Sequence, residues 1–335
     1  TAGSRGVANA AAITRSVADF VKTCGASPFI VPAMGSHGGA TAQAYTPIEA
    51  LEGDSRLKAN FVDPYKANPD MNVLVRPAEL YNSMVHPLLP LSARGVVWYQ
   101  GEGNWGDYPI YPLLMKTLIN GWRRNFAHSE MPFYYVQIAP WGFGQDTSSK
   151  EWFYTQGEAI GYAYMREAQA LTREQVSHSG MAVTMDVGDP DDIHPTNKRP
   201  VGERLARLAL NGTYGRSEVA CLGRYNSLKV ENGVVKLLFD NAEGLKTNDG
   251  QAPKHFYVAS TAGSEHKFWP ASAEIHGSEV WLTCPDVVTT STAASGVAVR
   301  YAFLLYPMTN LENGAGLPAE PFRTDFWSAE ISYVY

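Results

Sequence analysis

The chain has 335 residues and a formal net charge of −6, with 45% hydrophobic and 18% charged residues. This balance is typical of a folded globular protein and argues against extensive disorder. No basic run is longer than Arg123-Arg124, so the sequence lacks the clustered positive charge of a nucleic-acid-binding surface. We therefore expect no nucleic-acid partner.

No apolar stretch approaches the roughly 20 residues that a membrane-spanning helix needs, and no signal-peptide pattern precedes Thr1. We therefore expect a soluble chain without a membrane partner. Three cysteines, Cys24, Cys221 and Cys284, lack the spacing of metal ligands. Neither a metal nor another cofactor is expected.

Strand and helix patterns alternate through the first two thirds of the chain. This alternation predicts an α/β fold with a mostly parallel sheet flanked by helices. Buried strands are predicted at 29–31, 95–99, 132–138 and 180–186, and helices at 8–21, 112–126, 158–171 and 201–210.

From about residue 225 apolar and polar residues alternate between Gly, Asn and Asp turns, which is typical of a β-sandwich. The sequence thus predicts an α/β domain over 1–225, a β-sandwich-like domain over 226–309, and a tail over 310–335 that packs back on the first domain. The predicted strands of the second domain are 228–230, 234–239, 255–259, 279–283 and 297–305.

The stretch from Gly95 to Asn104 places polar residues directly after a buried apolar run. Gln100 and Glu102 alternate there with glycines. Polar side chains at such a position are costly to bury unless they form specific hydrogen bonds. Gln100 can donate to an oxyanion, and Glu102 can orient it or bind a substrate hydroxyl. Hydrogen bonding to adjacent loops is the structural alternative.

A histidine follows a carboxylate by three residues in segment 189–195. His194 is the best candidate for a general base, because imidazole titrates near neutrality and a carboxylate stabilises its protonated form. Asp191 has a spacing that lets one tight turn hold both side chains together, and Asp189 and Asp192 are rivals for that role. The alternative is a turn that caps the next helix.

A glycine-rich loop over 35–39 follows the first predicted strand. Its backbone N–H groups can form an oxyanion hole or a phosphate-binding nest, and the glycines alone do not distinguish these uses. His37 can act as a ligand or a base, although a single histidine in such a loop is more often a local turn donor.

Several separate motifs, in matching order and spacing, make residues 44–327 resemble the sialate O-acetylesterases, which are carbohydrate acetylesterases of the SGNH hydrolase superfamily. The resemblance implies an SGNH-hydrolase-like sheet in the predicted α/β domain. The motifs occupy 45–50, 81–84, 87–90, 95–104, 166–169, 189–198 and 310–325.

The resemblance also implies roles for individual residues. His194 is the base and Asp191, or a neighbouring aspartate, its carboxylate. Gln100, Glu102 and Asn104 surround the acetyl group, and Gly39, or Gly38, corresponds to the oxyanion-hole glycine. Two positions depart from the family pattern, since Gly103 replaces its usual Ser and His37 its usual Trp.

The family's serine nucleophile lies in a G-Q-S-N-like block, and the sequence contains no such block. Ser4 and Ser36 are framed by glycines, but neither occupies the nucleophile position. Residues 1–43 instead resemble the N-terminal domain of nickel-dependent lactate racemase-like proteins, in which a loop histidine takes part in catalysis. That resemblance points to His37, and the rest of such an enzyme is not recognisable.

The leading hypothesis is the larger part of a carbohydrate O-acetylesterase that acts on an acetylated carbohydrate by a serine acyl-enzyme mechanism. Its nucleophile would come from a preceding segment or from a second chain. The main alternative is a catalytically incompetent carbohydrate-binding protein on the same fold. A racemase-like enzyme with a nickel cofactor is a third hypothesis. The family's habits imply a secreted, periplasmic or lysosomal setting.

Overall fold

The structure is a computed structural model. It describes residues 15, 19, 22–23, 41–70, 76–143, 161–217, 224–262, 266–287, 296–327 and 331–333. The predicted helix 8–21 lies largely, and the predicted strand 29–31 wholly, outside the described residues.

The chain divides into two compact units. Unit 1 comprises Thr1–Ile138, Ala168–Ala182 and Thr196–Glu218, and unit 2 comprises Ala139–Glu167, Val183–Pro195 and Val219–Tyr335. The predicted domain boundaries stay a prediction.

A three-stranded parallel sheet lies in unit 1. It consists of β1 (Val96–Trp98), β2 (Phe133–Val136) and β3 (Ser179–Ala182), in that order. The predicted strand 180–186 ends early, because a turn closed by a hydrogen bond from Val187 N to Thr184 O follows it.

Helices account for most of the remaining regular structure of the described residues between 41 and 217. The α-helices are α1 (Ile48–Glu52), α2 (Ser55–Leu57), α3 (Asp63–Ala67), α4 (Tyr111–Asn125), α5 (Gly161–Gln175) and α6 (Arg199–Gly212). Short π turns occupy Lys58–Val62 and Tyr81–Val85, and 3₁₀ turns occupy Ala42–Tyr45, His86–Leu88 and Glu102–Asp107.

Helix α6 packs closely against the sheet of unit 1 because glycines remove side chains at the contact. A Cβ atom on Gly180 of β3 would lie 2.9 Å from the side chain of Leu208. At the end of the helix, a Cβ atom on Gly212 would lie 2.5 Å from the hydroxyl of Tyr134. Both distances are shorter than normal carbon contacts, so these positions favour glycine.

Antiparallel pairing dominates the C-terminal part of unit 2. A four-stranded sheet has the order β4-β5-β10-β9, a five-stranded sheet the order β13-β11-β7-β8-β14, and a two-stranded sheet the order β12-β6. Their bounds are β4 (Tyr225–Glu231), β5 (Val234–Phe239), β6 (Lys246–Thr247), β7 (Phe256–Ser260), β8 (His266–Pro270), β9 (Ser272–His276), β10 (Glu279–Thr283), β11 (Val297–Tyr301), β12 (Leu311–Glu312), β13 (Phe322–Arg323) and β14 (Ile331–Tyr333).

The predicted fold class, a parallel sheet flanked by helices followed by antiparallel sheets, is confirmed. Strands β5 and β10 have the predicted bounds. The predicted strand 297–305 is too long, because Ala302 adopts a left-handed φ of 50° and ends β11. Strands β8 and β9 were not predicted.

Candidate active site

Strand β1 delivers the first polar motif to the carboxyl end of the parallel sheet in unit 1. The strand ends at Trp98, Gln100 follows, and a 3₁₀ turn over Glu102–Asp107 begins after Gly101. The ring of Trp98 packs edge-on against Tyr45 and Trp122. In open α/β sheets ligands bind at this end of the strands.

Asn104 is the centre of a buried hydrogen-bond network. Its side chain is 1% exposed, and its Oδ1 accepts from Ala42 N and from Gln100 Nε2, each at 2.8 Å. Its Nδ2 donates to Gln43 Oε1 at 2.9 Å and to Asp107 Oδ2 at 2.7 Å. The amide uses both its donors and both acceptor positions, so its orientation is fixed.

Both the nitrogen and the oxygen of the Gln100 side-chain amide form hydrogen bonds. Nε2 donates to Asn104, and Oε1 accepts from the hydroxyl of Tyr111 at 3.2 Å. Only 8% of the residue is exposed. The network therefore predetermines the direction of the amide, which is a requirement for a donor that stabilises a developing charge.

Gln169 on helix α5 ties the ends of two strands together. Its Nε2 donates to Gln100 O at 3.3 Å and to Val136 O at 3.1 Å, and its Oε1 accepts from Ile138 N at 2.9 Å. With 1% of the residue exposed, the side chain replaces ladder hydrogen bonds at the point where β1 and β2 end.

Burial and charge tune the groups around Gln100. Burial raises the pKa of the Tyr111 hydroxyl far above its ordinary value, and the charge of Glu102 raises it further. Tyr111 therefore stays protonated and remains a donor. Burial also raises the pKa of Asp107, although the hydrogen bond from Asn104 opposes this shift.

The second polar motif forms a series of side-chain-to-backbone turns in unit 2. Asp189 Oδ1 accepts from Asp191 N at 2.9 Å and from Asp192 N at 3.1 Å. Asp192 Oδ1 in turn accepts from His194 N at 2.7 Å and lies 3.5 Å from His194 Nδ1. Such turns fix a loop locally, and here they place the carboxylate of Asp192 beside the imidazole.

Backbone contacts hold the Asp189 loop against the segment that follows β2. Asp189 N donates to Pro140 O at 3.2 Å, and Asp189 pairs in parallel with Trp141. A Cβ atom on Gly188 would lie 2.3 Å from Pro140 O, so only glycine permits this approach. The loop that bears His194 is therefore anchored at its base.

The structure brings Gln100 and Asn104 into direct contact, with Glu102 in the same turn. Asp191 and His194 lie in the same loop of unit 2, where Asp192 is the carboxylate at His194 Nδ1. Gly39 and His37 lie outside the described residues. The assignment of these residues to catalysis stays a prediction.

The sequence analysis did not single out Gln43, Tyr111 or Gln169, which complete the network around Gln100 and Asn104. Tyr111 and Gln43 belong to no local motif, and the contact of Gln43 with Asn104 joins parts of the chain that are 61 positions apart. A signal existed only for Gln169, which belongs to the motif at 166–169.

The motif at 310–325 has structural roles in unit 2. Asn310 Nδ2 donates to Asp249 Oδ1 at 2.8 Å and to Ala252 O at 3.0 Å, while its Oδ1 accepts from Lys254 N at 3.1 Å. Arg323 forms a bidentate pair with Glu167, at 2.7 and 2.9 Å. These residues pin loops and a helix rather than present free polar groups.

Within the described ranges, no group of three His, Cys, Asp or Glu side chains could hold a metal ion. The helices of the same ranges are all too short or too polar to cross a membrane.

Residues 62–211 match a family model described as carbohydrate esterase, sialic acid-specific acetylesterase. The matched span contains the Gln100 network from β1 onward and the complete His194 loop. This part of the chain is similar to that carbohydrate esterase family. The predicted resemblance to sialate O-acetylesterases is confirmed.

Individual relatives agree with the family match. The chain is 27% identical to mouse sialate O-acetylesterase over 77% of its length, and 27% identical to the human sialate O-acetylesterase over 83%. A crystal structure of a carbohydrate acetylesterase from Xanthomonas citri superposes with a TM-score of 0.74, at 32% identity over 94% of this chain.

The chain spans about half the length of the curated relatives that it matches, 50% of the mouse protein and 55% of the human one. It spans 65% of the Xanthomonas citri chain. The resemblance of residues 1–43 to lactate racemase-like proteins stays a prediction.

Proposed function

We propose that the chain forms part of a carbohydrate O-acetylesterase, which removes acetyl groups from sialic acid or another glycan. One observation carries the proposal: the family-matched span 62–211 includes the Gln100 network from β1 onward and the His194 loop. The 32% identity with the carbohydrate acetylesterase of Xanthomonas citri, over 94% of the chain, supports the same reaction class.

The proposed reaction proceeds through an acetyl-serine intermediate. His194 takes the proton of the serine hydroxyl as the serine oxygen attacks the acetyl carbonyl carbon, and then gives that proton to the departing sugar oxygen, which leaves as a hydroxyl. In the second half His194 takes a proton from a water molecule as that water attacks the acetyl-serine carbonyl carbon, and then gives the proton to the departing serine oxygen, so that acetate is released and the serine hydroxyl is restored. The carboxylate of Asp191 or Asp192 stabilises the imidazolium form in both halves.

Gln100 is proposed to donate to the oxyanion of each tetrahedral intermediate, together with the N–H group of Gly39. A preorganised donor lowers the barrier because it does not have to reorient as the charge develops. The hydrogen bonds that hold Gln100 to Asn104 and Tyr111 support this role. Glu102 is proposed to orient the amide or a substrate hydroxyl.

The nucleophilic serine is proposed to come from a segment preceding the printed sequence or from a second chain. The absence of a G-Q-S-N-like block from the 335 residues supports this proposal. The partners proposed for the chain are thus an acetylated carbohydrate and the polypeptide that carries the serine.

The test combines acetate release with active-serine labelling of the purified protein and everything that co-purifies with it. Acetate is measured from O-acetylated sialic acid and from acetylated xylan. His194→Ala should lower the rate at least roughly 1,000-fold. His276→Ala is the matched control, because His276 also lies beside a carboxylate, with Nε2 3.4 Å from Glu274 Oε2.

A fluorophosphonate adduct on a preceding segment or a second chain would support the proposed source of the nucleophile. An adduct on a serine of the printed chain would overturn that source but keep the reaction. Acetate release that is unchanged in His194→Ala would remove His194 from the mechanism. No adduct and no acetate from either substrate would favour the carbohydrate-binding alternative.

A further inference from the structure

An exposed aromatic ring lies on a second aromatic ring just after strand β2, in unit 2. The rings of Phe143 and Trp141 stack with their centroids 3.7 Å apart and their planes 23° from parallel. Tyr162 meets Phe143 edge-on at 5.5 Å. Tyr162 is 2% exposed, whereas 39% of Phe143 is exposed. Phe143 thus presents apolar surface to solvent from a fixed position.

The backbone of Phe143 is strained. Its φ is 58°. Glycine and asparagine tolerate this left-handed value, but for a bulky residue such as phenylalanine it is an outlier. Such a conformation is energetically unfavourable and is found preferentially at functional sites. The strain and the exposure are independent observations. A residue that only stabilised the fold would be expected to have a relaxed backbone and a buried ring, so both observations favour a functional role for Phe143.

The two residues that precede Phe143 by two and three positions, Trp141 and Pro140, contact the loop that carries the candidate base. Pro140 accepts from Asp189 N, and Trp141 pairs in parallel with Asp189. Asp189 in turn holds the backbone of Asp192, which lies at His194 Nδ1. Pro140 and Trp141 therefore lie directly beside Asp189 within unit 2.

We propose that Phe143, supported by Trp141, is a stacking platform for the pyranose ring of the acetylated carbohydrate. The axial C–H groups of a pyranose form an apolar face that matches a flat aromatic ring, while its hydroxyl groups remain free for polar contacts. The identification of the ligand as a carbohydrate rests on the proposed function.

The platform binds the sugar ring and not the acetyl group, so two substrates separate its role from the chemistry. Acetate release is compared for an O-acetylated sialoside and for ethyl acetate, which has no ring. Phe143→Asn removes the ring but tolerates the left-handed backbone. We expect KM for the sialoside to rise about five- to tenfold and kcat/KM for ethyl acetate to stay within about twofold.

Two further variants separate the loss of the flat ring from the loss of apolar volume and from the removal of any exposed phenylalanine. Phe143→Leu keeps apolar volume under the same backbone strain but lacks the flat face, so it should weaken sialoside binding as well. Phe326→Asn is the matched control, since Phe326 is an exposed phenylalanine, at 93%, in the same unit. It should change neither substrate's kinetics.

Equal losses on both substrates would overturn the platform, as would wild-type kinetics of Phe143→Asn on the sialoside. If the wild-type protein releases no acetate from either ester, the proposed reaction fails but the platform is still tested, by saturation-transfer NMR with the O-acetylated sialoside. Saturation transfer to the sugar C–H groups that disappears in Phe143→Asn supports the platform. No transfer in the wild-type protein overturns it.

Discussion

The side-chain amide of Gln169 donates a hydrogen bond to the backbone carbonyl of Gln100, at 3.3 Å. The same amide spans the gap to strand β2 through Val136 O and Ile138 N. A single buried side chain on helix α5 thus sets the position of the residue that we propose as the oxyanion donor.

Gln169→Leu should lower kcat for acetate release by roughly 10- to 100-fold, with a smaller change in KM. The reason is that even a small displacement of a catalytic group, here Gln100, greatly lowers the rate of the chemical step. The variant also removes the hydrogen bond from the buried N–H of Ile138 to the amide and should reduce the free energy of unfolding by about 1–3 kcal/mol. Steady-state kinetics and urea unfolding measure the two effects.

Tyr135→Phe is the control for Gln169→Leu, because it removes a buried hydrogen bond of 2.6 Å to the backbone of Gln169 and leaves the amide in place. It should cost stability without the loss in kcat. A double-mutant cycle with Gln100→Ala completes the test. Full additivity of the two kcat effects would contradict a role of Gln169 through Gln100.

The choice between Asp191 and Asp192 as the carboxylate of His194 is decided by two isosteric variants. Asp192 lies 3.5 Å from His194 Nδ1, so Asp192→Asn should lower kcat/KM by roughly 100-fold or more, as loss of the orienting carboxylate does elsewhere. Asp191→Asn should change it only a few-fold. An amide oxygen can still accept from His194 N, so the turn survives both changes.

The opposite ranking of the two variants would establish Asp191, the residue favoured by spacing alone, as the carboxylate. Circular dichroism on both variants verifies that the fold is intact.

Local sequence patterns predicted the elements whose burial follows a simple period. The apolar run of β1 and the amphipathic pattern of α4 gave their positions within one or two residues. Strand β8 escaped because Phe268 is its only fully buried side chain and Pro270 ends it. Its pairing with β7 is a tertiary contact that no local period encodes.

The residues of the candidate site were likewise predicted where they belong to local sequence motifs and missed where their role depends on a long-range contact. Gln100, Asn104 and His194 stand in recognisable local motifs, but the role of Gln43 depends on a contact with Asn104 across 61 positions. Spacing favoured Asp191 for the histidine, whereas the turn hydrogen bonds bring Asp192 to it. The spacing in the sequence thus identifies the loop that carries the histidine, but the backbone geometry of the turn determines which aspartate lies beside it.

A buried ion pair makes unit 2 sensitive to one substitution. Arg300 and Asp325 form a bidentate pair at 2.7 and 2.8 Å, with both side chains almost completely buried. Asp325→Ala leaves an uncompensated charge and should reduce the free energy of unfolding by about 3–5 kcal/mol. Denaturant unfolding measures this loss.

An exposed pair supplies the comparison for Asp325→Ala. Lys229 lies 3.2 Å from Glu231, and both side chains are about half exposed, so Lys229→Ala should cost less than about 1 kcal/mol. Replacing both buried partners together, by Arg300→Met and Asp325→Leu, should cost less than Asp325→Ala alone. A larger loss in the double variant would show that the pair itself stabilises the unit.

The imidazole of His255 gives unit 2 a specific dependence on pH. Burial lowers its pKa to about 4, and the charge of Lys254 acts in the same direction, against the hydrogen bond of His255 Nε2 with Met308 O. In the unfolded chain a histidine has a pKa of about 6.5. Between these values the unfolded state binds a proton that the folded state does not, so stability is complete above about pH 6.5 and falls as the pH decreases towards 4.

The loss approaches about 1.4 kcal/mol per pH unit for this one group. His255→Asn removes the titration and tolerates the left-handed φ of 64° at this position. Urea unfolding of both proteins from pH 8 to pH 5 isolates the contribution, because all other titrating groups cancel in the difference. We expect the two stabilities to converge as the pH falls, and a difference that is independent of pH would contradict a neutral His255 in the folded protein.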